Sequence, residues 1–128
     1  MNGTILLVED NPANRKLATT VLEHAGYRVL YAEDAAAGID IARTRRPDLI
    51  LMDIQLPGMD GLAAAGVLKA TGETAAIPVV ALTAFAMKGD EERILAAGCD
   101  GYIAKPFDYK ILLARVADIL ARGTEPRP

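Results

Sequence analysis

Short apolar runs alternate with longer amphipathic segments along the chain, and the alternation repeats five times. Most of the apolar runs are continuous, which is typical of strands that are covered on both faces. They predict five strands, at Thr4–Val8, Tyr27–Ala32, Leu49–Asp53, Val79–Thr83 and Tyr102–Ala104. Each predicted strand is followed by a segment with helical spacing, so the pattern predicts five βα units.

The first predicted helix begins after Asn11, a favourable N-cap, with Pro12 at its first position and Gly26 placed to end it. The other helices are predicted near 35–45, 60–70, 87–97 and 108–122. Apolar residues at helical spacing predict one buried stripe on each terminal helix. The stripe residues are Leu17, Val21, Leu22 and Ala25 on the first helix, and Ile111, Leu112, Val116, Ile119 and Leu120 on the last.

Five βα units favour an open, doubly wound parallel α/β sheet, because a closed barrel takes eight units. The flavodoxin-like version of this fold has the strand order 2-1-3-4-5. In such sheets ligands bind beyond the carboxyl ends of the strands, where the order reverses between the first and third strands. We expect one domain over residues 1–122 and a flexible tail at 123–128, which has no apolar residue.

Composition and charge exclude several classes of protein. The 128 residues, 52% of them hydrophobic and 24% charged, suit one globular domain. A net charge of -3 argues against direct binding to nucleic acid, which needs clustered Lys and Arg. The single cysteine excludes an internal disulfide, and no apolar run reaches the length of about 18 residues that spans a membrane. We therefore expect a cytoplasmic protein without a membrane anchor.

Polar side chains lie at or just after the carboxyl ends of four of the five predicted strands. Glu9 and Asp10 follow the first strand, Asp53 ends the third, Thr83 ends the fourth, and Lys105 follows the fifth. Because parallel strands end at the same edge of a sheet, all five groups are predicted to share one rim. Three neighbouring carboxylates repel one another by roughly several kcal/mol per pair, and one lysine offsets only part of this. Oxygen ligands with room for water favour Mg²⁺, so the rim predicts a magnesium site.

The lysine and threonine on this rim indicate an anion, since a metal gains nothing from a nearby cation or a hydroxyl donor. A phosphoryl group on Asp53 would have Mg²⁺, Lys105 and Thr83 around its oxygens, which is the charge neutralisation that phosphoryl transfer requires. Carboxylates serve as nucleophiles that form acyl phosphates in other proteins. The rim therefore predicts that Asp53 accepts a phosphoryl group.

The motifs ILLVEDN, DLILMDIQLPGMDG, VVALTA and GYIAKPF resemble, in this order, the receiver domains of two-component response regulators. The resemblance implies that Asp53 is the phosphoacceptor and that Thr83 and Lys105 bind the phosphoryl oxygens. The implied Mg²⁺ ligands are the carboxylates of Glu9, Asp10 and Asp53 and the backbone carbonyl of Gln55. The implied phosphoryl donor is a sensor histidine kinase or a histidine phosphotransfer protein.

The family also implies a conformational switch. Thr83 would move toward the phosphoryl group and Tyr102 would turn inward behind it, which changes the surface of the fourth helix, fifth strand and fifth helix. The stretch 77–107 most resembles DivK-type single-domain regulators, which have no output domain and act by binding sensor kinases. This implies a signalling switch in bacterial cell-cycle or developmental control, with its own autophosphorylation and dephosphorylation chemistry but no other enzyme activity. We expect a monomer, with phosphorylation-dependent dimerisation left open.

Three alternatives stay open. A magnesium-dependent phosphohydrolase would use the same aspartyl nucleophile, but such enzymes generally carry an acid two residues later, where this chain has Gln55. A pure interaction module would not need the intact set of five rim residues. A domain cut from a hybrid sensor kinase is the third alternative, against which Met1 and the short tail favour an intact protein.

Overall fold

The computed structural model describes residues 3–56, 58, 60–83, 88–104 and 108–123. Within these ranges the strands are β1 Thr4–Val8, β2 Arg28–Ala32, β3 Leu49–Asp53, β4 Val79–Thr83 and β5 Gly101–Ala104. The helices are α1 Pro12–His24, α2 Ala35–Arg45, α3 Gly61–Ala70, α4 Lys88–Ala96 and α5 Tyr109–Gly123. The predicted succession of five βα units is confirmed.

The strands form one parallel sheet with the order β2-β1-β3-β4-β5. β1 lies between β2 and β3, and its last residue, Val8, is paired with Ala32 on one side and Met52 on the other. This order confirms the predicted flavodoxin-like, doubly wound fold. The carboxyl ends of β1 and β3 therefore lie side by side where the strand order reverses. In sheets of this kind, ligands bind at that point.

Helices cover both faces of the sheet. On β3, Leu49 and Leu51 pack into the layer of α1 and α5, whereas Ile50 and Met52 pack into the layer of α2, α3 and α4. All four side chains are at most 1% exposed. Because successive residues face opposite layers, burial on both faces requires every position to be apolar. This is the physical reason for the continuous apolar runs in the sequence.

Asparagine or aspartate caps begin three of the helices. The side chains of Asn11, Asp34 and Asp60 each accept a hydrogen bond from the backbone N–H three residues later, at 3.0, 2.8 and 2.8 Å. Such a cap satisfies an amide that has no partner within the helix and contributes about 1 kcal/mol. Asp60 is thus the N-cap of α3 and not its first helical residue.

The predicted apolar stripes are partly wrong. Leu17 on α1 is 50% exposed and Ile111 on α5 is 54% exposed. The buried residues of α1 are Ala18 and Leu22. Helical spacing identifies which apolar residues are neighbours on a helix, but it does not show which edge of the stripe faces the sheet. On α1, the small side chain of Ala18 lies against the sheet instead of the adjacent Leu17.

Two strand boundaries differ from the prediction by one residue. The N–H of Tyr27 donates to the carbonyl of Leu22 at 3.1 Å, which closes the end of α1, and the β2 ladder begins at Arg28. Gly26, with φ of 102°, makes this reversal at the helix end. β5 begins one residue earlier than predicted, at Gly101.

The last helix ends one residue past the predicted domain boundary. α5 extends to Gly123, and the rest of the predicted tail, 124–128, lies outside the described residues. The predicted first residue of the fourth helix, Met87, also lies outside them. Across the ranges that the structure describes, every helix is too short or too polar to cross a membrane.

Candidate metal centre

Three carboxylates meet at the carboxyl-terminal edge of the sheet. Glu9 and Asp10 follow β1, Asp53 ends β3, and one oxygen of each lies within 4.8 Å of the others. Glu9 is 3% exposed and Asp53 is 4% exposed, whereas Asp10 is exposed. The centre therefore has a buried floor and one side open to solvent.

Backbone amides fix the two buried carboxylates. The N–H of Gln55 donates to Oδ1 of Asp53 at 2.9 Å, and the N–H of Asn11 approaches Oε2 of Glu9 at 3.3 Å. In both cases the donor lies two residues after the acceptor, so each carboxylate is held by the turn that leaves its own strand. The Gln55 side chain itself is exposed.

Arg15 on α1 supports the loop that carries Glu9. Its Nη1 donates to the backbone carbonyl of Glu9 at 3.0 Å, and its Nη2 lies 3.5 Å from Oε1 of Glu33. The guanidinium also lies over the Tyr31 ring, 5.2 Å from its centroid, and the side chain is only 14% exposed. Sequence reasoning missed Arg15, because its partners Tyr31 and Glu33 come from β2 and the loop beyond it.

Gly61 lets the start of α3 lie directly against the backbone of Asp53. A Cβ atom at Gly61 would lie 2.3 Å from the Asp53 carbonyl oxygen and 2.6 Å from the Cα of Ile54. The N–H of Gly61 donates to the Ile54 carbonyl at 3.1 Å. Only glycine allows this approach, which positions the strand end that carries the central carboxylate.

The donor set of this centre fits a hard divalent cation. At separations of at most 4.8 Å, each pair of carboxylate charges repels by at least about 3 kcal/mol at an effective dielectric near 20. The attraction of a divalent cation to the three carboxylates outweighs their mutual repulsion. Carboxylate oxygens are the ligands that Mg²⁺ and Ca²⁺ prefer. The open side near Asp10 leaves space for the water ligands that Mg²⁺ usually keeps.

Of the two predicted phosphoryl-binding residues, Thr83 lies within the described residues and Lys105 does not. Thr83 ends β4 at the same edge of the sheet and is fully buried. Asp53 is paired with Leu82 across β3 and β4, so Thr83 stands one position beyond the level of Asp53. Lys105 lies outside the described residues. The structure thus brings Glu9, Asp10 and Asp53 together and places Thr83 on the neighbouring strand.

Tyr102, the predicted switch residue, is half-buried on β5. Its phenol OH donates to Oε1 of Glu91 on α4, and its backbone carbonyl accepts a hydrogen bond from Nη2 of Arg115 on α5 at 3.1 Å. The hydrogen bond to Glu91 raises the pKa of Tyr102, because ionisation of the phenol would remove the donated proton.

Residues 5–117 match the family model of the response regulator receiver domain. The chain belongs to the receiver domain family. Members of this family take phosphoryl groups from histidine kinases or phosphotransfer proteins, and they bind Mg²⁺ at an acidic pocket. The predicted family resemblance is confirmed.

Curated relatives of this receiver domain include the polar-differentiation response regulator DivK from two species. The protein from Brucella anthropi is 50% identical over 120 residues, which covers 94% of this chain and 98% of the relative. The protein from Brucella melitensis is 49% identical with the same coverage. The predicted resemblance to DivK-type regulators is therefore confirmed as well.

Solved structures of receiver domains superpose closely on this one. The receiver domain of a sensor histidine kinase from Pseudomonas aeruginosa, with a magnesium ion coordinated in its active-site cleft, is 38% identical and has a TM-score of 0.87. That match covers 94% of this chain and 99% of the other. The receiver domain of a histidine kinase from Syntrophus aciditrophicus is 32% identical, has a TM-score of 0.89, and covers 98% and 95%.

Proposed function

We propose that this receiver domain is a phosphorylation switch in which Asp53 accepts a phosphoryl group from the phosphohistidine of a sensor histidine kinase or phosphotransfer protein. One observation carries the proposal. The Asp53 carboxylate is 4% exposed at the end of β3 and has oxygens of Glu9 and Asp10 within 4.8 Å. This arrangement suits a nucleophile whose charge is balanced by a metal ion.

In the transfer step, an oxygen of Asp53 forms a bond to phosphorus while the P–N bond of the phosphohistidine breaks. The electron pair of that bond returns to the imidazole. The N–H of Gln55 holds Oδ1 of Asp53 at 2.9 Å and so orients the carboxylate for attack. When bound, Mg²⁺ would neutralise charge on the carboxylates and the phosphoryl oxygens.

The metal would be held by the carboxylates of Glu9, Asp10 and Asp53 and by the backbone carbonyl of Gln55. All four residues lie at the ends of β1 and β3, and the magnesium-bound Pseudomonas relative supports the choice of ion. Mg²⁺ also suits the open side of this site better than Ca²⁺, which takes more protein ligands.

Thr83 and Lys105 would contact the phosphoryl oxygens once Asp53 is modified. The buried position of Thr83 at the same sheet edge supports its part of this assignment. Movement of Thr83 toward the phosphoryl group, followed by Tyr102, would then alter the surface formed by α4, β5 and α5.

The DivK relatives support a role in bacterial cell-cycle or developmental control. The match extends over 98% of the Brucella anthropi protein, which is named for polar differentiation. We infer that this receiver acts by binding sensor kinases and related proteins, as a monomer whose binding surface changes on phosphorylation. We also infer that it has intrinsic autophosphorylation and autodephosphorylation chemistry.

Intact-mass analysis after incubation with acetyl phosphate and Mg²⁺ tests the acceptor. We expect one phosphoryl adduct on the wild type, none on Asp53→Asn, and none when EDTA is present. Asp60→Asn is the matched control, because asparagine also caps a helix and Asp60 lies outside the carboxylate cluster. An adduct of equal yield on Asp53→Asn would refute the assignment.

A further inference from the structure

Tyr102 connects three elements of the receiver. Its OH donates to the Glu91 carboxylate on α4, and its carbonyl accepts from Arg115 on α5. The ring is half-buried and packs against the layer that contains Ala81. The contact with Glu91 therefore holds the polar end of the side chain at α4.

The register of β4 and β5 places Tyr102 near Thr83. Tyr102 is paired with Ala81, and Ala104 is paired with Thr83. Because side chains alternate along a strand, Ala81 and Thr83 face the same layer of helices as Tyr102. Both intervening positions, Ala81 and Ala104, are alanines, so no large side chain of these two strands separates the phenol from the threonine.

We propose that Glu91 is a positioning residue that holds the Tyr102 phenol at α4 and opposes its movement toward Thr83. This proposal rests on the proposed function, in which Tyr102 turns inward when Asp53 is phosphorylated. Turning inward breaks a hydrogen bond to a charged acceptor, and such bonds are stronger than neutral ones. Glu91 therefore favours the resting arrangement and sets a threshold for activation.

Thermodynamic coupling makes this effect measurable at the phosphorylation site. A ligand that favours the inward arrangement binds more tightly when the competing outward arrangement is destabilised, and the coupling is reciprocal. Because water competes for both groups at this half-buried position, loss of this hydrogen bond corresponds to an increase in affinity of about threefold to tenfold, which is the range of an ordinary hydrogen bond. The effect should be absent when Tyr102 has no hydroxyl to donate.

The probe is beryllofluoride, a stable mimic of a phosphoryl group on aspartate, titrated calorimetrically in Mg²⁺. We expect Glu91→Ala to bind it about threefold to tenfold more tightly than the wild type. Glu92→Ala is the matched control, because it removes the same charge from the adjacent, exposed position of α4. Equal affinities for Glu91→Ala and the wild type, or an equal change in Glu92→Ala, would overturn the proposal.

A double-mutant cycle shows whether Glu91 acts through Tyr102. Glu91→Ala should have no further effect on beryllofluoride affinity in a Tyr102→Phe background. An undiminished effect in that background would overturn the proposal, because Glu91 would then act by another route.

A structural readout follows the tyrosine directly. In protein labelled with 3-fluorotyrosine, the ¹⁹F resonance of Tyr102 is identified by its loss in Tyr102→Phe. We expect Glu91→Ala without beryllofluoride to shift this resonance toward its position in the beryllofluoride-bound wild type. A resonance that stays at the wild-type resting position would contradict the inference.

The two proposals fail in different ways. If the wild type does not bind beryllofluoride in an Asp53-dependent manner, the proposed phosphorylation site is wrong. If the wild type binds it normally while Glu91→Ala matches the wild type in both measurements, only the role of Glu91 is wrong.

Discussion

Replacing Gly61 with alanine should displace the backbone of Asp53, the proposed phosphoacceptor, without changing that residue itself. The added Cβ would lie 2.3 Å from the carbonyl oxygen of Asp53 and 2.6 Å from the Cα of Ile54. Both neighbours are backbone atoms of a turn that is anchored by the hydrogen bond from Gly61 N–H to Ile54 O at 3.1 Å. The clash can be relieved only by moving the start of α3 and the backbone of Asp53 apart.

The expected cost follows from this contact. Overpacking of a well-filled region destabilises a protein by about 1–3 kcal/mol, and the upper part of this range, about 2–3 kcal/mol, applies here because both closest contacts are with backbone atoms. Alanine recovers at most about 1 kcal/mol of this through its better helix propensity. We therefore expect Gly61→Ala to lower the free energy of unfolding by about 1–2 kcal/mol. Because the displaced atoms belong to Asp53, the affinity for Mg²⁺ should fall as well.

The assay is urea unfolding followed by circular dichroism in EDTA, together with calorimetric Mg²⁺ titration of the folded protein. Gly66→Ala is the matched control, since Gly66 lies in the same helix and the nearest atom to its added Cβ would be 4.0 Å away. That variant should gain up to about 1 kcal/mol and keep its Mg²⁺ affinity. If Gly61→Ala is as stable as Gly66→Ala and binds Mg²⁺ like the wild type, the reasoning from this contact is refuted.

Three further predictions concern Mg²⁺ binding, the ion pair of Lys69 and the pKa of Cys99. Mg²⁺ should raise the thermal unfolding midpoint of the wild type, and the rise should be much smaller in Asp53→Asn. Lys69→Met should lower the free energy of unfolding by about 1–3 kcal/mol, because Nζ lies 2.8 Å from Asp100 and 2.7 Å from the Ile77 carbonyl; equal stability in urea would contradict this. Burial raises the pKa of Cys99 from 9.0 to about 11. The unfolded chain therefore loses the thiol proton at a lower pH than the folded chain, and the free energy of unfolding should fall as the pH rises from 9 toward 11. When urea unfolding is measured between pH 9 and 11, the free energy of unfolding of Cys99→Ala should decline less steeply with pH than that of the wild type. An equally steep decline in both proteins would contradict the role of the Cys99 thiol.

Local patterns in the sequence were enough to predict the five strands and five helices, while the order of the strands was taken from the flavodoxin-like fold that five βα units favour. β3 and β4 have the predicted bounds, Leu49–Asp53 and Val79–Thr83. Continuous apolar runs identify such strands because burial on both faces leaves no position for a polar residue. Asn11 and Pro12 likewise marked the start of α1, because a cap acts on backbone within three residues of itself.

The carboxylate cluster was predictable for a topological reason. Glu9, Asp10 and Asp53 are 44 or fewer residues apart in sequence and come from two strands. Parallel strands connected by helices must end at the same edge, so residues that follow those strands converge wherever the strands are neighbours. The roles of these residues, and of Thr83 and Lys105, stay predictions, and the phosphorylation experiment tests that of Asp53.

The sequence by itself determined the succession of strands and helices, the family and the residues of the candidate site, because these depend on short-range patterns and on motifs along the chain. Only the tertiary structure decided that Leu17 faces solvent, that Arg15 donates to the Glu9 carbonyl, and that Glu91 accepts a hydrogen bond from Tyr102. Each of these depends on the rotation of a helix about its axis or on a contact between separate elements. Helical periodicity leaves that rotation undetermined, and it is set by how the side chains of neighbouring elements pack together.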